Sequence, residues 1–243
     1  MTRNSKDRTR RRDADLSEDE LALEFARLHE NLRWVQVWNR WYEWNDSVWT
    51  QDSTLHVYDM VREFLRAKSP THHKPSGLLR ASTVAAVEKM ARSDRRYAAT
   101  TDQWDRDEML LNCPNGVINL VSGAIQPADP SRYMTKIAGV EIEFGECPRW
   151  QAFLGDITRG DKELGKFLQR MVGYCLTGDT REHALFFLYG NGANGKSTFL
   201  NVVTRILGDY AIDAPMEAFT VSESDRHPTE LAMLRGARMV TAV

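Results

Sequence analysis

Residues 184–207 read ALFFLYGNGANGKSTFLNVVTRIL, an apolar run followed by a glycine-rich segment and a helical pattern. The run from Ala184 to Leu188 is uninterrupted apolar sequence, too short to cross a membrane and bounded by glycine. That is the pattern of a buried parallel strand. Gly190, Gly192 and Gly195 then sit inside G-x-x-x-x-G-K-S, which closes on Lys196 and Ser197. Beyond it, Phe199, Leu200, Val203, Ile206 and Leu207 share one helical face, and Gly208 stands where a C-terminal cap belongs. Strand, glycine loop and helix in this order are the context of a phosphate-binding P-loop. Backbone N–H groups can converge on a phosphate only where no Cβ blocks them, which calls for glycine, and the helix aims its unpaired N-terminal N–H groups at the anion. On this reading Gly190, Asn191, Gly192, Ala193, Asn194 and Gly195 form the cradle and Thr198 starts the helix. Lys196, the catalytic candidate, neutralises the β- and γ-phosphates, while the Ser197 hydroxyl ligates Mg²⁺. The residues alone leave one rival reading, a glycine-rich turn that merely shares the pattern.

Working outward, three further stretches accompany the loop: LLNCPNGVINLVSG (110–123), CPRWQAFLGDIT (147–158) and HPTELAMLRGARMV (227–240), with FLQRMVGYCLTGDT (167–180) leading directly into it. Their order and spacing resemble the superfamily 3 helicases, and among them the phage and plasmid primase–helicases related to the poxvirus primase–helicase. The likeness covers roughly residues 30–243. It implies an α/β architecture: a mixed α+β N-terminal module, a helical collar, and a truncated P-loop NTPase (AAA+-like) parallel-sheet domain. The segments expected are a basic tail at 1–16, the module at 17–146, the collar at 147–180 and the NTPase core at 181–243.

The resemblance further implies ATP and Mg²⁺ as cofactors and single-stranded DNA as partner. It also implies a homo-oligomeric ring, a hexamer in the family, with replication proteins as possible associates. The setting would be the cytoplasm of a bacterial host, for a phage- or plasmid-encoded protein. In that family the Walker B acids, sensor asparagine, arginine finger and DNA-contacting hairpin lie downstream of the last matched strand. None of them maps onto residues 1–243, so the sequence reads as a fragment or a truncated product. Asp209, Asp213, Glu217 and Glu223 stand between motifs, where none is a credible substitute. A primase domain, often upstream in the family, has no counterpart here.

Composition bounds the alternatives. Hydrophobic residues at 42% and charged residues at 27% are ordinary globular values, and the net charge of −2 gives no global basic field for nucleic acid. The charge is uneven, however: residues 1–12 carry +5 and the remainder −7. That arginine-rich segment reads as a solvated tail, with DNA-phosphate contact as the sharper alternative. Cys113, Cys147 and Cys175 form no C-x-x-C pair, which argues for reduced thiols and against a zinc site or disulfide scaffold. No apolar stretch is long enough for a membrane span, and no signal-like segment opens the chain.

Taken in order, Ser17-Glu18-Asp19-Glu20 is a capping box opening a helix with Leu21, Phe25 and Leu28 at helical spacing. Trp34, Trp38, Trp41, Trp44 and Trp49 follow, with Asn45-Asp46 as a hairpin turn between Trp44 and Val48. Interleaved with Arg33 and Arg40, these rings could stack on single-stranded bases; the reading favoured by burial is a small core. His56–Leu65 continues as a helix with Val57, Met60, Val61, Phe64 and Leu65 on one side. Lys68–Gly77 reads as a loop, and its adjacent His72 and His73 do not face one another as metal ligands would. A helix over 82–92 ends in Lys89, Arg92, Arg95 and Arg96, a solvated charged end or a phosphate patch.

From Met109 the period becomes strand-like: Val117–Leu120, the turn Ser122-Gly123 and Ala124-Ile125 predict a hairpin, and Val140–Phe144 a further strand. Pro148 opens a helix facing inward through Trp150, Phe153, Leu154 and Ile157. Asp161 caps another carrying Leu164, Phe167, Leu168, Met171, Val172 and Cys175. Thr229 is expected to open a helix with Leu231, Met233 and Leu234, and residues 238–243 a second core strand.

Two functional readings result. The first is an ATP-dependent DNA helicase of phage or plasmid replication. The second is a non-catalytic nucleotide-binding or subunit-interaction remnant of such a helicase. A P-loop small-molecule kinase would explain the loop but neither the collar helices nor the hairpin module.

Overall fold

In the computed structural model, which describes residues 16–71, 75–216, 234 and 236–242, Ser17 opens the first helix, α1 (Glu18–Leu28). The expected capping box is present: the Ser17 hydroxyl accepts from the Glu20 N–H, and the Glu20 carboxylate accepts from the Ser17 N–H. Leu21 and Phe25 are buried as expected. Leu28, the last residue of the helix, instead faces solvent.

Two compact units divide the chain, Met1–Asn45 with Trp49–Gln103, and Asp46–Val48 with Trp104–Val243. In the first, α1 leads into β1 (Leu32–Val35), β2 (Arg40–Trp44) and β3 (Trp49–Gln51), an antiparallel sheet in that order. The register sets Trp34 opposite Trp41 and Trp44 opposite Trp49. The hairpin around Asn45-Asp46 is as expected, while the β1–β2 hairpin, turned at Asn39 with positive φ, carried no Gly signal in the sequence.

Helix α2 (His56–Lys68) is followed by a 3₁₀ turn, the short α3 (Pro75–Leu78) and α4 (Ala81–Ala91). Asp52 starts α2 from outside, its carboxylate accepting from the N–H groups of Thr54, His56 and Val57. Helices α1 and α2 both pack on α4. The core between helices and sheet gathers Phe25, Leu32, Trp34, Trp41, Val57, Val61, Leu65, Val87 and Tyr97. Trp34, Trp41 and Trp49 are thus interior residues, in line with the core reading of the tryptophan cluster. His72, His73 and the arginine-rich tail through Asp15 lie outside the described residues.

The second unit begins with β4 (Leu110–Cys113), β5 (Gly116–Asn119) and β6 (Ile125–Gln126), antiparallel in sequence order. The Ser122-Gly123 hairpin is as expected. Val140–Phe144 does not form the expected strand. A side chain replaces the ladder there: the Asn115 amide accepts from the Ile142 N–H at 2.8 Å and donates to the Ile142 carbonyl at 3.0 Å.

Helices α5 (Pro148–Ile157), α6 (Lys162–Leu176) and α7 (Lys196–Leu207) then pack around Phe199, Val203, Leu207 and Met171. Asp161 caps α6 through the Glu163 and Leu164 N–H groups. Leu164 and Phe167, expected to point inward, remain partly exposed, because only the Leu168–Met171–Val172–Cys175 side of α6 meets the cluster.

The segment 184–188 is the main correction. It is not a hydrogen-bonded strand in the structure. Its burial alternates nonetheless: Phe186 and Leu188 pack against the helical cluster, while Leu185 and Phe187 are 86% and 78% exposed. A strand is defined by a neighbour, and none of the described strands lies alongside it. The parallel pairing falls instead to β7 (Ala211–Asp213) and β8 (Met239–Thr241), with Ala211 opposite Met239. Met239–Thr241 therefore form a strand within the expected run 238–243; the helix expected from Thr229 lies mostly outside the described residues, as do Glu217 and Glu223. The observed architecture is mixed α+β with small sheets.

Candidate functional site

Helix α7 is fixed at both ends. At its start, Phe199 is 2% exposed and stacks on Trp150, ring centroids 5.7 Å apart, and Trp150 stacks in turn on Phe153. At its end, the Gly139 N–H donates to the Ile206 carbonyl and the Asp209 N–H to the Ile137 carbonyl, while the Asp209 carboxylate accepts from the Ile137 N–H. Tyr210 closes this corner: its hydroxyl donates to the Lys136 carbonyl at 3.1 Å and accepts from the Asn112 N–H at 3.2 Å. Burial first, only partly offset by its neighbours, pushes the Tyr210 phenol up to about 12. The Arg238 guanidinium lies 4.3 Å from the Tyr210 ring centre and donates to the Leu110 and Leu176 carbonyls.

The glycine loop enters this anchored helix. Gly195 is the residue before α7, with φ of 85°, and no side chain caps the helix, leaving its first N–H groups without a side-chain acceptor. A Cβ at Gly195 would stand 2.5 Å from Ile157 Cγ2, so the loop can lie against α5 only without one. Gly190 has φ of 140°, and a Cβ there would come within 2.8 Å of the Asn194 amide nitrogen. Ala193 also takes a positive φ, of 58°, a conformation that costs a non-glycine residue free energy and is held by its surroundings.

The Lys196 side chain folds back into the loop. Its ammonium donates to the carbonyls of Gly190 at 3.0 Å and Asn191 at 3.1 Å, and to Asn194 Oδ1 at 2.7 Å. Ser197 and Thr198 are exposed on the first turn of α7. The structure therefore brings Gly190 through Thr198 into one curl, with the ammonium inside it and uncapped helix N–H groups beside it. The Asn194–Lys196 bond is not encoded by the spacing of glycines, and only its neighbourhood to the G-K-S run could have signalled it.

This curl fits a polyphosphate on its own geometry. It has a lysine charge, a helix N-terminus without a side-chain cap, and glycine at 190, 192 and 195. For a divalent cation the chain offers the Ser197 hydroxyl at the same place, and no cluster of three His, Cys, Asp or Glu side chains among the described residues forms a self-sufficient metal cage. A cation here would therefore share ligands with the bound phosphate, as magnesium does when it takes few protein ligands.

Two further basic residues singled out in the sequence are engaged by neighbours. Arg92 donates to Glu88 and covers the Trp34 ring at 4.3 Å, and Arg96 pairs with Asp94. These two arginines of the basic helix end are engaged within the fold. No described helix is long and apolar enough to cross a membrane.

Comparison with known proteins agrees with this architecture. Residues 22–159 match the family described as D5 N terminal like, and the chain belongs to this family of D5-like primase–helicases. A protein of Acanthamoeba polyphaga mimivirus that carries the provisional name of helicase is 29% identical over 143 residues. The aligned part is 55% of this chain and 15% of that protein.

Proposed function

We propose that the chain binds ATP with Mg²⁺ at Gly190–Thr198 and serves an ATP-dependent DNA helicase of phage or plasmid replication. The observation that carries this reading is the Lys196 ammonium, enclosed by loop carbonyls at the uncapped start of α7. Lys196 neutralises the β- and γ-phosphate charge, Ser197 supplies a hydroxyl to the cation, and the N–H groups of the loop and first turn hold the phosphate oxygens. Membership of the primase–helicase family supports the coupling of this site to DNA. Single-stranded DNA is the proposed partner and a homo-oligomeric ring, a hexamer, the proposed assembly. Magnesium, held by the Ser197 hydroxyl together with phosphate oxygens, would supply screening of the phosphate charge.

The test is equilibrium binding of Mg·ATP to the wild-type chain and to Lys196→Ala, followed by phosphate release with and without single-stranded DNA. Losing a charge-assisted contact to phosphate is expected to weaken binding by about 100-fold. Unchanged ATP affinity in Lys196→Ala would sink the site. Binding without turnover, with or without DNA, would favour a nucleotide-binding or subunit-interaction role for this chain over hydrolysis.

A further inference from the structure

The lysine of the loop is saturated. An ammonium has three N–H donors, and those of Lys196 meet three acceptors: the Gly190 and Asn191 carbonyls and Asn194 Oδ1. The acceptors are not equivalent. The carbonyls belong to a backbone held by the turns at Gly190 and Gly195, whereas Asn194 is an exposed side chain that can rotate. Its contact is also the shortest, at 2.7 Å. The amide reaches this position across the face of Gly190, where any Cβ would collide with Asn194 Nδ2.

We propose that Asn194 is the positioning residue of the loop: its carboxamide oxygen occupies the phosphate-oxygen position on Lys196 while the loop is empty. It is also the contact surrendered when a polyphosphate enters. This rests on the reading of Gly190–Thr198 as a nucleotide site and assigns the exchange step within it. The choice of residue type follows from charge. An amide oxygen carries only partial charge, so it holds the ammonium in place yet yields to a fully charged phosphate oxygen. A carboxylate at the same position would match the phosphate in charge and keep the lysine occupied. An alanine would leave the lysine with two backbone acceptors and open to solvent.

The experiment uses the full chain as wild type, Asn194→Ala and Asn194→Asp, with far-UV circular dichroism confirming an unchanged fold. Two readouts are taken. Without ligand, the rate of acylation of Lys196 is followed by peptide mass spectrometry. With ligand, affinities for Mg·ATP and for inorganic tripolyphosphate are measured.

Acylation is expected to quicken several-fold in Asn194→Ala and to slow in Asn194→Asp. Affinity for both probes is expected to tighten several-fold in Asn194→Ala and to fall by about tenfold in Asn194→Asp. Opposite signs are the signature, because a merely structural asparagine would weaken binding in both variants alike. Equal losses in the two variants, or acylation unaffected by either, overturns the role of Asn194 while leaving the nucleotide site standing. A wild-type chain that binds neither probe overturns the nucleotide reading and the exchange step with it.

Discussion

Glu88 is a carboxylate only 5% exposed, and the first unit is built to keep it satisfied. It accepts from the Trp41 indole N–H at 2.7 Å and from Arg92 Nε at 2.7 Å, while Arg92 also covers the Trp34 ring. Removing it strands a buried indole donor and leaves Arg92 without its acceptor, so Glu88→Ala is expected to cost about 2–3 kcal/mol in urea unfolding. Glu88→Gln retains an acceptor for Trp41 and should cost less. Tyr210 makes the corresponding argument in the second unit. Its folded phenol is raised to about 12, above the ordinary value near 10, so its neutral form is the one the fold favours. That contribution is complete below about pH 10 and disappears as pH climbs from about 10 to about 12. Phenolate absorbance of this residue should therefore rise together with loss of structure, and Tyr210→Phe should remove that share of the alkaline slope while costing about 1 kcal/mol at neutral pH.

At the scale of elements, side-chain hydrogen bonds fix the starts of three helices. Ser17 and Glu20 start α1, Asp52 starts α2, and Asp161 starts α6. Asp161→Ala removes the acceptor for two orphan N–H groups at the head of α6 and is expected to destabilise by about 1 kcal/mol, with Asp161→Asn close to wild type in thermal or urea unfolding. The cap also bears on the site, because α6 shares a hydrophobic cluster with α7. Helix α7 has the opposite design. It begins at Gly195 with no side-chain cap, so the donors that Asp161 satisfies in α6 remain available there. The same scale explains the lost strand at Val140–Phe144. Two hydrogen bonds with the Asn115 amide, 27 residues away in sequence, satisfy the Ile142 backbone in place of a strand partner.

Across the whole molecule the three thiols report on the packing of the second unit. Cys113 is buried, Cys175 half-buried and Cys147 exposed at the start of α5. Burial pushes both the Cys113 and Cys175 thiols upward, lowering their thiolate fraction as well as their access. A thiol-reactive chromophore should therefore label one cysteine promptly under native conditions and the other two only on unfolding. Cys147→Ser is expected to abolish the fast phase, and rapid labelling of more than one thiol would contradict the packing around β4 and α6.

The glycine loop, its helix and the caps were legible in sequence because each depends on residues close together in the chain. The spacing of Gly190, Gly195, Lys196 and Ser197 already dictates a curl at a helix start, and Ser17 and Asp161 announce their helices within one turn. The family likeness was equally local, carried by short stretches in fixed order, and the match over residues 22–159 agrees with it. Partnership between distant segments was not legible. Apolar character at Ala184–Leu188 predicts a buried parallel strand, but a strand exists only when another backbone lies beside it, and here the parallel pair is Ala211–Asp213 with Met239–Thr241. Likewise, five tryptophans in a row of residues give aromatic area without direction; only the register of Trp34 on Trp41 and the reach of Glu88 from α4 turn that area into a core. The helix starts at Ser17 and Asp161 and the glycine curl before α7 were settled by short-range sequence, while the folded chain decided which distant groups satisfy one another, because that choice depends on which surfaces it brings together.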